Sequence, residues 1–392
     1  MLITVPNQPG TSERRVAITP EVARRLVDRG HRVAVATGAG IRSGHDDAEY
    51  KAVGAEIVDD DEAWHADLVA TVGRPAPGTD VRGAMIGLFQ PFDDPAGLAE
   101  LAAGGATLFA FEAVPRTSRA QVVDALSSQA TILGYQGALE AATRIDRMFP
   151  MLTTAAGTIR PSKVLVLGAG VAGLQAIATA RRLGAAVAGF DVRAAAAEQV
   201  RSIGANFIEI DAPVQDASTS GGYAQEVADD EQARIMAGLA PHIATADAVI
   251  TAAAIPGRRA PLMIDDAMVA SMRRGAVIVD LAAATGGNCS ATQPGRTVEV
   301  DGVTIVGDTD LVSHVARDAS AMLARNVAAF VELVTDDDGS FIANWDDDIV
   351  AESCVARDGV LVHPWLVSTP AANPAANPVE PPAAPPSAEE AT

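Results

Sequence analysis

From its first residues the chain alternates short apolar runs with helix-length amphipathic segments. LITV at 2–5, HRVAVAT at 31–37, ADLVATVG at 66–73, GAMIGLF at 83–89 and ATLFAFE at 106–112 have the two-sided apolar character of strands inside a parallel sheet. Between them fall helical patterns. In the segment 12–30, Pro20 suits a first helical turn and Gly30 a helix stop, while DDDEAWHA at 59–66 and PAGLAELAAGG at 95–105 supply two more helices. From 117 to about 147 the pattern becomes helical, with serines that cap or turn rather than glycines that stop. Strands resume with NFIEI at 206–210, ADAVITAA at 246–253, AVIVDLA at 276–282 and VTIVG at 303–307. The run at 313–334 then carries apolar residues at helical spacing and suits packing back on the first domain.

This alternation predicts an α/β protein of two Rossmann-like domains with parallel sheets, the first discontinuous and completed by the C-terminal helix. The expected limits are 1–135 plus 315–368 for the first domain and 136–314 for the second. Residues 369–392 hold 7 of the 23 prolines and no aromatic residue. Such a segment cannot bury a core, so it reads as a flexible Pro/Ala-rich tail.

The stretch 163–193, KVLVLGAGVAGLQAIATARRLGAAVAGFDVR, organises the second domain. A buried strand ends in Gly168, Gly170 and Gly173, spaced G-x-G-x-x-G, and a helix pattern opens at Val171. The first glycine makes the turn, the second lets backbone approach a pyrophosphate, and the third lets helix and strand pack closely. The amides at the start of the helix, Val171 among them, face the phosphates. A second strand, 186–190, ends at Asp191, 18 residues after Gly173, where a carboxylate can bind ribose hydroxyls and repel a 2′-phosphate. These features make NAD(H) the expected cofactor rather than NADP(H). Arg193 reads as solvent-facing or adenine-stacking.

Composition narrows the class. With 29 basic and 50 acidic residues the net charge is −21, which argues against a nucleic-acid binder or a protein held on an anionic membrane surface. Two cysteines, Cys289 and Cys354, make no disulfide framework and sit in no metal-ligand spacing, so no metal site is expected. The first residues lack a signal-peptide pattern, and no apolar run approaches the ~20 residues of a membrane span.

Around this motif the sequence RMFPMLTTAAGTIRPSKVLVLGAGVAGLQAIATARRLGA resembles the NAD-binding subunit of the proton-translocating NAD(P) transhydrogenases, which share a fold with alanine dehydrogenase. ERRVAITPE at 13–21, PRTSRAQVVDALSSQATILGY at 115–135, GGYAQE at 221–226, AAAIPGRRAP at 252–261, DLAAATGGNC at 280–289 and VARDGVLVHP at 355–364 extend the match over nearly the whole folded chain. The resemblance implies a peripheral cytoplasmic subunit at the inner face of the plasma membrane. It implies a homodimer, membrane-spanning partner subunits and an NADP(H)-binding domain on a partner. The implied activity is NAD(P) transhydrogenase, Si-specific or proton-translocating, with direct hydride transfer between the two nicotinamides. Arg116 and Ser127 would contact the nicotinamide half of NAD(H), Gln121 would reach toward the partner's NADP(H), and Asp124 would hold the arginine. Tyr223 would lie on a mobile loop closing over the cofactor, freed by Gly221 and Gly222. Tyr135, on the linking helix, is placed with the cofactor-binding set but reads as a core residue.

Two competing readings follow from the same motifs. A free-standing alanine-dehydrogenase-like enzyme needs a lysine, a histidine, an acid and a carboxylate-binding arginine. Here Arg15 supplies the arginine, for which a salt bridge is the simpler role, and Thr71, Gln90 and Ala284 stand where the other three belong. Without a proton acceptor, amine oxidation should fail. The chain also departs from the transhydrogenase pattern at Thr71, Ala284 and Asp310, which motivates the second alternative, a non-catalytic NAD(H)-binding paralogue.

Overall fold

The computed structural model describes residues 1–8, 12–210, 229–255 and 258–368. Tyr223 and the tail 369–392 therefore lie outside the described residues. Two sheets dominate the fold. In the first, parallel strands Glu56–Val58, Arg32–Ala36, Leu2–Val5, His65–Ala70, Arg82–Gly87 and Thr107–Ala110 lie side by side in that order. In the second, Asn206–Phe207, Ala186–Phe190, Lys163–Leu167, Ala248–Thr251, Val277–Asp280 and Val303–Val306 do the same. Numbered along the chain, both sheets run 3-2-1-4-5-6, the doubly wound order in which ligands bind beyond the carboxyl ends of strands 1 and 4.

Neither sheet is purely parallel. Thr297–Val300 pairs antiparallel with Val303–Val306, while Cys354–Arg357 pairs antiparallel with both Thr107–Ala110 and Val360–Leu361. Both hairpins turn on Asp-Gly. Asp301 and Gly302 have φ of 53° and 81°, and Asp358 and Gly359 have 54° and 81°, the left-handed pair that a two-residue turn between right-twisted strands requires. Three further departures are local. The 59–66 segment forms only a short 3-10 turn at Glu62–Trp64, because strand His65–Ala70 begins immediately after it. The 206–210 strand shortens to Asn206–Phe207 at the sheet edge, and a separate exposed hairpin joins Leu152–Thr154 to Gly157–Ile159.

Helix Pro20–Asp28 begins with proline in its first turn, and the chain reverses after it at Gly30, φ 88°. Helix Ala316–Leu333 buries Leu323, Ala324, Val327, Phe330 and Val331 in the same core as Ile3, Val22, Leu26, Phe109 and Phe111. Phe330 meets Phe109 at a ring-centroid distance of 5.1 Å. Among the described residues no helix is long and apolar enough to cross a membrane.

The helix Ala125–Arg144 joins the two layer systems. Ala125 lies in the first core and Ala138 and Ala141 in the second. Gly134 faces the start of helix Val171–Arg182, so closely that a Cβ there would stand 2.0 Å from the Ala172 carbonyl oxygen. Gly134→Ala is therefore expected to force the helices apart and lower stability by about 1–3 kcal/mol, as overpacking generally does. At Gly104 a Cβ would meet only the Leu101 carbonyl oxygen, at 3.5 Å, so Gly104→Ala should stay within about 0.5 kcal/mol of the parent. Urea midpoints of the two variants test the contrast.

Candidate functional site

A cavity of about 680 Å³ lies between the two sheets. One wall comes from the second domain: Gly168, Gly170, Val171 and Ala172, the strand end Phe190 to Arg193, and the loop beginning at Ala252. The facing wall carries Gln90, Pro91, Phe92, Asp93, Glu112 and Arg116, with Leu126, Ser127, Ala130 and Leu133 of the joining helix between. Its size is that of a small-molecule or cofactor site.

Each glycine of the turn meets a separate steric demand. Gly168 has φ 93°, and a Cβ on it would stand 2.7 Å from the Ala252 carbonyl carbon. On Gly173 a Cβ would stand 1.8 Å from the Gly168 carbonyl oxygen, which is the close strand–helix packing that calls for glycine. The space beside Gly170 is open, with the nearest atom, Arg193 Nη2, at 4.0 Å from a built Cβ. An open backbone surface at a helix N-terminus fits an anionic ligand such as a pyrophosphate. Gly173 itself lies behind the turn and is not part of the lining.

Asp191 is more heavily engaged than its sequence position foretells. Its Oδ2 accepts from the Ala169 amide at 2.7 Å and from Arg193 Nη2 at 2.8 Å, and its Oδ1 accepts from Arg193 N and Nε, both at 2.9 Å. The Arg193 side chain is only 20% exposed. Its guanidinium forks onto Asp191, which corrects the expectation of a solvent-facing arginine: planar bidentate pairing with a carboxylate two residues away holds it against the cavity wall.

At the other end of the cavity Asp124 caps the joining helix. Its carboxylate accepts from Ser127 N at 2.9 Å and Ser127 Oγ at 2.6 Å, and Arg116 Nη1 lies 3.7 Å away. Arg116 and Ser127 line the cavity with Asp124 behind them. Gln121 is exposed on the 3-10 turn Arg119–Val123 and does not line it. The turn is braced by Arg119, which forks onto Asp347 at 2.7 and 2.9 Å, and by Asn326, whose amide donates to the Val122 carbonyl. Tyr135 is 41% exposed, which corrects its reading as a core residue, and it is absent from the lining. At ~100° per residue it sits about 200° around the helix from Leu133, which faces the cavity.

The sequence reading did not single out several lining residues. Glu112 follows strand Thr107–Ala110 and accepts from the Phe89 and Gln90 amides at 3.2 and 2.8 Å, fixing a turn in which Gln90 takes φ 49°. Burial raises its carboxyl to about 7 despite those amides and the charge of Arg74. Its signal was an acid at the carboxyl end of a parallel strand. Arg258 and Arg259 lie in the stretch AAAIPGRRAP at 252–261, where two adjacent charges among apolar residues are the signal.

The equivalent crevice of the first sheet is a polar notch of about 20 Å³, lined by Gln8, Glu13, Arg15 and Thr71 among others, with room for about one water. Arg15 forks onto Glu13 through Nε at 2.9 Å and Nη2 at 2.6 Å, and its Nη1 donates to Gln129 Oε1 at 2.7 Å. Ser313 Oγ donates to the same glutamate at 2.7 Å. Thr71 is buried, with its hydroxyl on the Gly73 carbonyl.

This geometry defines a two-domain α/β protein with a nucleotide-type cleft at the second domain's switch point. The sequence matches the alanine dehydrogenase/PNT N-terminal domain over residues 4–133 and the alanine dehydrogenase/PNT C-terminal domain over residues 137–364. The chain belongs to the alanine dehydrogenase/PNT family, whose membership carries nicotinamide-nucleotide binding. It is 42% identical over 385 residues to an alpha-subunit chain of the NAD(P) transhydrogenase of Rhodospirillum rubrum, covering 95% of this chain and 100% of that one. Alanine dehydrogenase of Bacillus subtilis is 31% identical over 73% of this chain and 72% of its own. The crystal structure of transhydrogenase from Sinorhizobium meliloti superposes with a TM-score of 0.83 at 39% identity, covering 92% of this chain and 100% of that one.

The notch yields a test by pH. Burial alone would raise the Glu13 carboxyl, but the Arg15 side chain, the Ser313 hydroxyl and the Arg15 amide together lower it to about 2 from an ordinary 4.5. A carboxyl depressed on folding contributes stability above pH 4.5 and loses it as the pH falls toward 2. Urea midpoints between pH 5 and 3 should therefore fall less steeply for Glu13→Gln than for the parent. Equal slopes would remove the ion pair from the stability balance.

Proposed function

We propose that this chain is the NAD(H)-binding peripheral subunit of a split proton-translocating transhydrogenase. It would lie at the cytoplasmic face of the membrane as a homodimer and work against an NADP(H)-binding domain on a partner. The domain limits 1–135 plus 315–368 and 136–314 belong to the same reading. The observation that carries it is the contrast between the two crevices. The second-domain cavity has room and an open glycine turn for a dinucleotide, whereas Arg15, which an amino-acid substrate would need, is consumed by Glu13 and Gln129 in a notch of about 20 Å³. With Thr71, Gln90 and Ala284 in place of the amino-acid-handling groups, the balance moves from alanine oxidation to hydride exchange between nucleotides.

Bound NAD(H) would supply or accept the hydride, and the chain's part is to orient and enclose. The Gly170 surface and the amides from Val171 onward would hold the pyrophosphate, while Asp191, sharing its oxygens with Arg193, would receive the adenosine ribose. Asp124 fixes Arg116 and Ser127 toward the nicotinamide half, so that no general base is required. Gln121, exposed on its braced turn, would meet the partner.

Mixing the purified chain with an NADP(H)-loaded partner domain should give hydride transfer between NADH and an NADP analogue, and Arg116→Ala should slow it by on the order of 10–100-fold. Tight NADH binding with no transfer to any partner would instead favour the non-catalytic reading, and alanine-dependent NADH formation the alanine-dehydrogenase one. Asp191→Asn should weaken NAD(H) binding by about tenfold and narrow the preference over NADP(H), read by titration calorimetry with both cofactors.

A further inference from the structure

Four arginines line the cavity, although the chain as a whole is strongly acidic. Arg193 is committed to Asp191 and Arg116 is held beside Asp124. Arg259 differs, since among the described residues it has neither a hydrogen bond nor an ion pair. Its position is nonetheless well defined. The stem lies on Gly286, φ 101°, where a Cβ would stand 2.9 Å from both Arg259 Cγ and Nε. Next to it the Ala260 amide donates to the Thr285 carbonyl at 2.9 Å. The buried Asn288 side chain clasps the loop on both sides, donating to the carbonyls of Ala253 and Pro261 at 2.8 and 2.7 Å.

The topology says which portion of a dinucleotide this cation can meet. Its loop leaves strand Ala248–Thr251, which pairs with one side of Lys163–Leu167, while Asp191 ends the strand on the other side. The Gly168 turn lies between them, against the backbone of Ala252 and Ala253. A 2′-phosphate would belong on the Asp191 side. On the Arg259 side the anionic group of an NAD(H) molecule is its pyrophosphate.

We infer that Arg259 is a ligand for the pyrophosphate of the bound dinucleotide, closing on it from the side opposite Asp191. The inference rests on the dinucleotide reading given above. A charge-assisted contact in a half-open cleft is worth about a tenfold change in affinity.

The test compares the full chain with its Arg259→Ala and Arg259→Lys variants, titrated with NADH, ADP-ribose and adenosine at low and high salt. Arg259→Ala should raise Kd about tenfold for NADH and ADP-ribose, leave adenosine unchanged, and flatten the salt dependence. Arg259→Lys should recover some of the loss by restoring the charge without the fork. Unchanged Kd for NADH and ADP-ribose in Arg259→Ala would overturn the inference while leaving dinucleotide binding intact. An equal loss for adenosine would overturn it as well, by showing a general disturbance of the loop. If the parent chain bound neither NADH nor ADP-ribose, the dinucleotide reading would fail and this inference with it.

Discussion

The approach of two helices at Gly134 and Ala172 fixes the geometry of the cleft. The joining helix touches the glycine turn from behind through Gly134, and it carries Leu126, Ser127, Ala130 and Leu133 on its cavity side. One rigid element thereby sets the distance between the glycine turn and the polar group at Asp124. A side chain at 134 would move both ends of the site at once, because a helix does not bend at one residue without a break in its hydrogen bonds. Gly137, where a Cβ would stand 2.7 Å from the Leu281 side chain, brings the same helix close to the end of strand Val277–Asp280.

Two sheets of the same strand order end in crevices of very different size. Each has a crevice where strands 1 and 4 diverge, and topology alone would make either a ligand site. In the first sheet the crevice is filled from within by the Glu13, Arg15, Gln129 and Ser313 network. In the second it is walled by glycine and alanine backbone and left wide. Side-chain chemistry, more than fold, separates the two, and this is why the likeness to alanine dehydrogenase and to transhydrogenase cannot by itself distinguish their reactions.

Much of this was readable in the chain. Strand Ala186–Phe190, the roles of the first and third glycines, and the return of helix Ala316–Leu333 to the first core follow from period, turn residues and spacing. The Asp-Gly pairs at 301–302 and 358–359 each turn a hairpin and explain an antiparallel edge on each sheet, which the strand pattern alone, read as parallel, did not bring out. DDDEAWHA illustrates the opposite case. Its composition suits a helix, but the next strand claims His65 and leaves room for only one turn. The pairing of Arg193 with Asp191 could not be read from spacing alone, since a guanidinium two residues past a carboxylate can fold back, stack or extend. Likewise the exposure of Tyr135 depended on which side of the joining helix met the cleft.

The arginines show how an acidic protein can gather cationic side chains at one cleft. Two of the four arginines at the cleft are held by carboxylates of the chain itself, with Asp191 on Arg193 and Asp124 near Arg116. Such pairing keeps the guanidinium groups in a fixed orientation, at the expense of net positive potential and of the desolvation that burying an ion pair costs. On the dinucleotide reading proposed above, attraction of an anion would fall to the amides at the start of helix Val171–Arg182 and to the Arg259 side chain on Gly286. Both are presented by backbone held in place by tight packing, at Gly173 against Gly168 in one case and by Asn288 in the other. Preorganised donors of this kind lose little freedom on binding, so a few of them can recognise a phosphate group despite the negative charge of the whole chain.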